Sequence, residues 1–319
     1  MGEAAGALGG STTEPAVTRL PGGEIEVKPP TSFPAHPTPF LEVRVHEIKP
    51  HPGVTGLCAG YEQRAWREKQ LALHLMKWLP EFALKHTELE GLGAQNAVEL
   101  IARAAKSVYA SEKYKNRGEF GELLLHVGLR QCFKTLPAIT KYFYKDSRND
   151  TVKGFDAVHV VAADGGLELW LGEVKFYDDV ARGIAHVITE IEEHLQRDYL
   201  RDEFAAITNK IDDTWAHAEK LKRLLHPDTS LDEVFDCVCI PVLLTYDSPV
   251  IQAFSEVSAE YKTRFEAEIR KHHAAFSDKL KQKTLPERLR IHLFLLTLRE
   301  KASLVAALDE ALKRMQEIQ

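Results

Sequence analysis

The feature that most constrains how this chain folds is a change of period near residue 155. Upstream, apolar residues recur at helical spacing; from Phe155 onward they alternate. Phe155-Asp156-Ala157-Val158-His159-Val160-Val161 reads as a strand and Asp164-Gly165-Gly166 as a tight turn. Leu167 to Phe176, ending Gly172-Glu173-Val174-Lys175-Phe176, reads as the returning strand of an antiparallel hairpin. Residues two apart on a strand share a face. Glu173 and Lys175 therefore project side by side, with Val174 and Phe176 opposite. Asp156 opens the partner strand, and the hairpin carries it back toward Glu173.

Two carboxylates and an ammonium at one rim of an apolar hairpin are costly unless something binds them. Adjacent carboxylates in a partly dry site repel, and one is driven to protonate. A hard divalent cation removes the conflict, because Mg²⁺ takes a few carboxylates and keeps waters and a phosphate oxygen. Mn²⁺ is an acceptable substitute. Such a cation activates water and stabilises a leaving oxygen in phosphodiester hydrolysis, and Lys175 would steady the developing negative charge. An isolated Glu-x-Lys triplet mostly marks a solvated strand face. Here it closes an apolar strand, after an acidic helix, an Asp at a strand start and a Gly turn.

A third carboxylate is expected from the helix predicted over about 119–134. Gly118-Glu119-Phe120-Gly121-Glu122 offers two. Glu122 continues through Leu125/His126, Leu129 and Cys132/Phe133, a mostly apolar face suited to packing on a sheet, so Glu122 is preferred and Glu119 held in reserve. Lys145, Arg148 and Lys153 precede the site strand and are the candidate contacts to the phosphates of a polyanion. Net charge is -6, but its distribution is uneven. Residues 103–153 hold eleven Lys/Arg against five Asp/Glu, whereas 168–203 hold ten acidic residues against four basic ones. An acidic chain with one basic stretch can still bind a polyanion there; solvated helix faces are the plain alternative.

Residues 1 to about 38, rich in Gly, Ala, Pro, Thr and Glu without apolar periodicity, read as a disordered tail, leaving 39–319 as one domain. Alternation predicts a strand from Phe40 to His46. Gly53 to Gly60 reads as a loop, followed by a long amphipathic helix from about Tyr61 to Leu84, with Pro80 a candidate interruption. Further helices are expected at about 94–109, 180–204, 215–225, 254–282 and 299–317. Buried strands are expected at 237–245 and 288–297. Helices, a hairpin, then strands separated by helices predict an α/β (α+β) fold with a central mixed sheet.

No apolar run reaches the roughly 18–20 residues of a membrane span, and the N-terminus lacks a basic, then apolar, export signal. A cytoplasmic setting with reduced thiols at Cys58, Cys132, Cys237 and Cys239 is therefore expected. Cys237 and Cys239 lack a second pair with which to hold zinc. Of the histidines, His126 and His186 are candidates to approach the site. His159 falls on the face opposite Asp156, and His272-His273 reads as solvated. Tyr142 and Tyr144 read as core aromatics rather than base-stacking residues.

The arrangement resembles the PD-(D/E)xK, or restriction-endonuclease-like, superfamily. Asp156 in Lys153-Gly154-Phe155-Asp156 and Glu173-Val174-Lys175 carry the hallmark, with Phe155 in place of the naming proline. More narrowly the chain resembles the HamA family, nuclease subunits of Hachiman anti-phage defence systems. That likeness rests on Arg117 to Leu124, Asp150 to Asp156 and Leu169 to Tyr177. It implies a mixed sheet flanked by helices, Mg²⁺ dependence and DNA as substrate. It also implies a HamB-like superfamily 2 helicase that holds the nuclease inactive until released. Two other readings remain open: a nucleic-acid-binding or assembly subunit that does not cleave, and an RNA-directed or structure-specific nuclease. Intact Asp156, Glu173 and Lys175 weigh against the first.

Overall fold

A computed structural model of the chain describes residues 36–49, 51–89, 91–93, 95–108, 118–140, 154–163 and 166–318. The expected tail therefore falls almost wholly outside the described residues. So do Lys145, Arg148, Lys153, Tyr142 and Tyr144.

Strand β1 (Glu42–Glu47) leads into β2 (Gly53–Cys58) and a two-stranded ribbon of β3 (Tyr61–Glu62) and β4 (Ala65–Trp66). Helices α1 (Glu68–Met76), α2 (Leu79–Ala83), α3 (His86–Leu89), α4 (Ala97–Val108) and α5 (Gly118–Phe133) follow. Then come β5 (Leu136–Thr140), β6 (Ala157–Ala163) and β7 (Gly166–Phe176). Helices α6 (Val180–His194), α7 (Arg197–Lys210), α8 (Ala218–Leu224) and α9 (Leu231–Cys237) separate β7 from β8 (Val238–Asp247). After α10 (Pro249–Ala253) and α11 (Ala259–Leu280) come β9 (Arg290–Leu298) and α12 (Lys301–Gln316).

Among the described residues, seven strands form one sheet in the order β1-β2-β9-β8-β7-β6-β5. Strands β2, β9, β8 and β7 run parallel, and β1, β6 and β5 join antiparallel at the flanks. The sequence of β8 and β9 explains their central place. Val-Cys-Ile-Pro-Val-Leu-Leu-Thr-Tyr and Ile-His-Leu-Phe-Leu-Leu-Thr-Leu are near-continuous apolar runs, as strands covered on both faces must be. Helix α5 covers one face over β6, β7 and β8, with α1 and α2 against it and α12 packed on α1 and α4. Helix α6 covers the other face over β7 and β8, with α11 beside it. This is the expected mixed α/β architecture, and it is compatible with a restriction-endonuclease-like arrangement.

Several local expectations are overturned. Residues 53–58 are not a loop but a fully buried strand, hydrogen-bonded between β1 and β9. Its glycines obscure the pattern, yet they suit close approach: a Cβ at Gly56 would stand 2.9 Å from Ile269 Cγ1 of α11. The helix expected from Tyr61 begins only at Glu68, because Tyr61 to Trp66 turn back on themselves with Gln63 and Arg64 at positive φ. The expected interruption at Pro80 is present: α1 ends at Met76 and Pro80 sits in the first turn of α2. The helix expected over 180–204 is broken at Leu195-Gln196. Nor are His272 and His273 solvated: Tyr246 meets the His272 ring edge at 4.8 Å, and His273 Nε2 is 2.8 Å from the Pro52 carbonyl.

Candidate active site

The hairpin forms in the expected register, with Ala157 opposite Gly172. Asp156 therefore stands one step before the strand begins, beside the Glu173 end of β7. Its backbone N–H donates to the Gly172 carbonyl at 2.7 Å, and its Oδ2 accepts from the Val174 N–H at 2.8 Å. Both bonds fix the carboxylate at the point where β7 carries Glu173 and Lys175. Val174 and Phe176 point to the other face, against Gly121 of α5. The alternation read from sequence is the one observed.

These residues line a cleft of about 870 Å³ at the carboxyl end of β7, where open α/β sheets place ligands. Its walls come from the N-terminus of α5 (Gly118, Glu122), from Gly154 and Asp156, from β7, and from the inner side of α6. Glu122 is half-buried in the wall, while Glu119 is not among the described residues lining it. His186 lines the cleft as expected. His126 does not approach it. That ring is buried under α5, 3.3 Å from His159 Nε2 and 3.1 Å from Glu81 Oε1. His159 likewise faces α5, bonded to Thr135 at 2.7 Å.

Two further side chains of α6, His194 and Glu190, complete the site, and sequence reasoning missed them. His194 Nδ1 lies 2.5 Å from Glu173 Oε1, and Lys175 Nζ pairs with Glu190. The break after His194 turns the chain so that Tyr199 of α7 stacks on the His194 ring, centroids 4.4 Å apart and planes 10° from parallel. Phe155 meets the same ring edge-on at 5.3 Å. One signal was available. Val187, Glu190, Ile191 and His194 recur at three- and four-residue spacing, so two polar residues continue an apolar stripe. Nothing in the sequence pointed to Lys301 or Tyr177 as further lining residues.

The electrostatics follow from burial. Glu173 is almost wholly enclosed. Loss of water and the neighbouring Asp156 charge push its carboxyl up to about 7, against the opposing hydrogen bond from His194. Burial works against charge on His194, but the Glu173 carboxylate outweighs it and holds the imidazole above its ordinary range. Among the described residues, no three His, Cys, Asp or Glu side chains converge closely enough to cage a metal ion. A Mg²⁺ ion asks for less. One or two carboxylates, several waters and a substrate phosphate satisfy it. Asp156 and Glu173 are hard oxygen donors side by side, and burial together with the Asp156 charge makes the charged form of Glu173 costly despite His194 and Lys175, so the donor set fits.

A family model described as HamA matches residues 35–312, a span that includes every residue lining the cleft. A curated relative, "Anti-bacteriophage protein A" of Escherichia coli (strain K12), is 25% identical over 197 residues. That alignment covers 60% of this chain and 35% of the relative, so the chain spans about a third of that protein's length. None of the described helices is long and apolar enough to cross a membrane. With its match running through the hairpin, the cleft and the helices that wall it, the chain belongs to the HamA family.

Proposed function

We propose that the chain is a metal-dependent DNA nuclease serving anti-phage defence, with Asp156, Glu173 and Lys175 as its catalytic centre. One observation carries this reading: a fully enclosed carboxylate, Glu173, lies beside Asp156 and one strand position pair from Lys175, at the mouth of a cleft. Buried acids with perturbed affinity for protons, gathered in a cleft beside a charged partner, are candidates for a functional site. Family membership and the relative's name support the defence role.

A bound Mg²⁺ or Mn²⁺ would polarise the phosphodiester and lower the pKa of a water. Asp156 and Glu173 would hold it, with Glu122 reaching in from α5 directly or through water. The chain's own work is positioning. The Val174 N–H orients the Asp156 carboxylate, and His194 orients Glu173. Lys175 is steadied by Glu190 until a phosphate competes for its ammonium. Phe155, buried and edge-on to the His194 ring, helps keep the Glu173 end of the site dry, which strengthens these charges.

Control by a HamB-like superfamily 2 helicase belongs to the same proposal and rests on the resemblance. A second reading is a nucleic-acid-binding or assembly subunit that does not cut, against which the intact Asp156, Glu173 and Lys175 weigh. The experiment is to incubate the purified chain with linear DNA and Mg²⁺, beside Lys175→Ala and an EDTA control, with and without the helicase and ATP. Loss of DNA in the wild type alone supports the nuclease. Intact DNA under every condition, with binding retained, supports the second reading.

A further inference from the structure

Beyond Lys175 the cleft changes character. Its carboxylates give way to Tyr177, Arg182, His186 and Lys301. Lys301 opens α12 and lies 126 residues after Lys175 in the chain. Its Nζ stands 5.0 Å from the Phe176 ring centre and 6.0 Å from that of Tyr177. Arg182, in the first turn of α6, lays its guanidinium 4.7 Å from the Tyr177 ring centre and pairs with Asp178 at 2.7 Å. The Tyr177 hydroxyl is 3.1 Å from His186 Nδ1. The two aromatic rings thus aim two cations from different helices at one end of the cleft.

Lys301 is the more telling of the two. Burial, aided by the neighbouring Arg182 charge, holds its ammonium below the ordinary lysine range, and Asp178 and Asp247 only partly offset this. Among the described residues no carboxylate pairs with its Nζ. A half-desolvated cation without a counter-ion gains from an incoming anion more than a solvated one does. The geometry also sets a register. Strands rise about 3.3 Å per residue, so Tyr177 stands roughly 7 Å beyond Lys175. Phosphates of one strand advance about 3.4 Å each along the helix axis but also wind around it, so successive ones lie roughly 6–7 Å apart in space and this offset is about one nucleotide.

We propose that Lys301 and Arg182 hold a backbone phosphate of the DNA strand about one nucleotide from the one presented to Asp156, Glu173 and Lys175. The class of ligand rests on the nuclease reading; the place rests on the two cations and their rings. Contact is with the phosphate and not with base edges, so it carries no sequence preference.

The test measures binding of a short fluorescent oligonucleotide, single-stranded and duplex, to the full chain in EDTA over a series of salt concentrations. Wild type is compared with Lys301→Met, which keeps the aliphatic stem on Phe176, with Arg182→Gln, and with Lys301→Arg. Each neutral variant is expected to bind about threefold to tenfold more weakly. Each should also lower the slope of log affinity against log salt by about 0.7 for single strands or 0.9 for duplex. Lys301→Arg should keep the wild-type slope. Weaker binding at unchanged slope would assign these residues a structural role only and overturn the inference, as would a wild type that binds no DNA. Because no cleavage is measured, a chain that binds with the expected slopes but never cuts DNA would leave this phosphate site standing while the nuclease reading fell.

Discussion

Gly121 offers the sharpest test of how α5 and β7 build the site. A Cβ there would stand 2.6 Å from Val174 Cγ1 and 2.9 Å from Phe176 Cβ. Carbon atoms rest at about 3.5–4.0 Å, so Gly121→Ala falls short by about 1 Å on the side facing β7. Neither neighbour gives easily. Val174 is stiff at χ1 and enclosed, and the Phe176 Cβ moves only with its backbone. With two contacts below 3.0 Å the overpacking cost belongs in the upper part of its usual range, about 2–3 kcal/mol, while the better helix propensity of alanine returns about 1 kcal/mol. The net loss should be about 1–2 kcal/mol, lowering Tm by about 2–6 °C in a chain of this size. Relief comes from α5 lifting off β7, which carries Glu122 away from Asp156 and tilts the strand holding Glu173 and Lys175. A displacement of about 1 Å in a catalytic constellation costs on the order of 100-fold in rate. Thermal melts and the DNA cleavage assay are to be run beside Gly118→Ala. That added Cβ meets no atom within 4 Å, and the variant should melt at or above the wild-type temperature. A Gly121→Ala protein as stable as wild type would refute the packing argument. A less stable one with undiminished cleavage would refute the link from α5 position to catalysis.

Three further outcomes are expected. Because the Glu173 carboxyl is raised from 4.5 to about 7, the folded state binds its proton more tightly than the unfolded chain does. The metal-free protein should therefore lose stability as pH rises through that interval. The raised imidazole of His194 adds a loss of the same sign as pH climbs past 6.5, so Tm in EDTA should fall from about pH 5 to about pH 8. Glu173→Gln should flatten the Glu173 part of that fall; a wild-type Tm that climbs across the same range would contradict the sign. At about pH 8, Mg²⁺ should raise the Tm of wild type and leave Glu173→Gln nearly unchanged, since ligand binding to the folded state alone is stabilising; equal shifts would place the ion elsewhere. On the far side of the sheet, Glu81 is buried against Arg130 at 2.6 Å and His126 at 3.1 Å. Glu81→Ala removes the carboxylate that pairs with a buried guanidinium, which keeps its bond to the Thr135 carbonyl, and should cost about 3 kcal/mol, read as a Tm loss near 10 °C, with the pH profile of any activity unmoved.

What the sequence revealed follows from how local its signals are. The hairpin was legible because alternation, a Gly turn and a second alternation occupy one continuous stretch. Its register then brings Asp156 beside Glu173 without help from the rest of the chain. Strands β8 and β9 were legible because a strand covered on both faces has to be apolar throughout. Strand β2 was not, because its glycines serve residues that lie far away in sequence: Ile269 of α11 packs where the Gly56 side chain would be, and His292 of β9 reaches Thr55 at 2.7 Å.

The helix over 180–204 shows the same boundary within the site. Its apolar stripe was visible, but the break at Leu195-Gln196 was not, since neither residue ends a helix by its own chemistry. That break is what returns Tyr199 onto His194 and sets the imidazole against Glu173. The sequence by itself determined which carboxylates and which lysine share a strand face, because a period of two is a property of the backbone. Only the tertiary structure decided what surrounds them. His194, Glu190 and Lys301 reach the cleft by the packing of α6 and α12 around the sheet, and contacts between distant segments leave no periodic trace in either one.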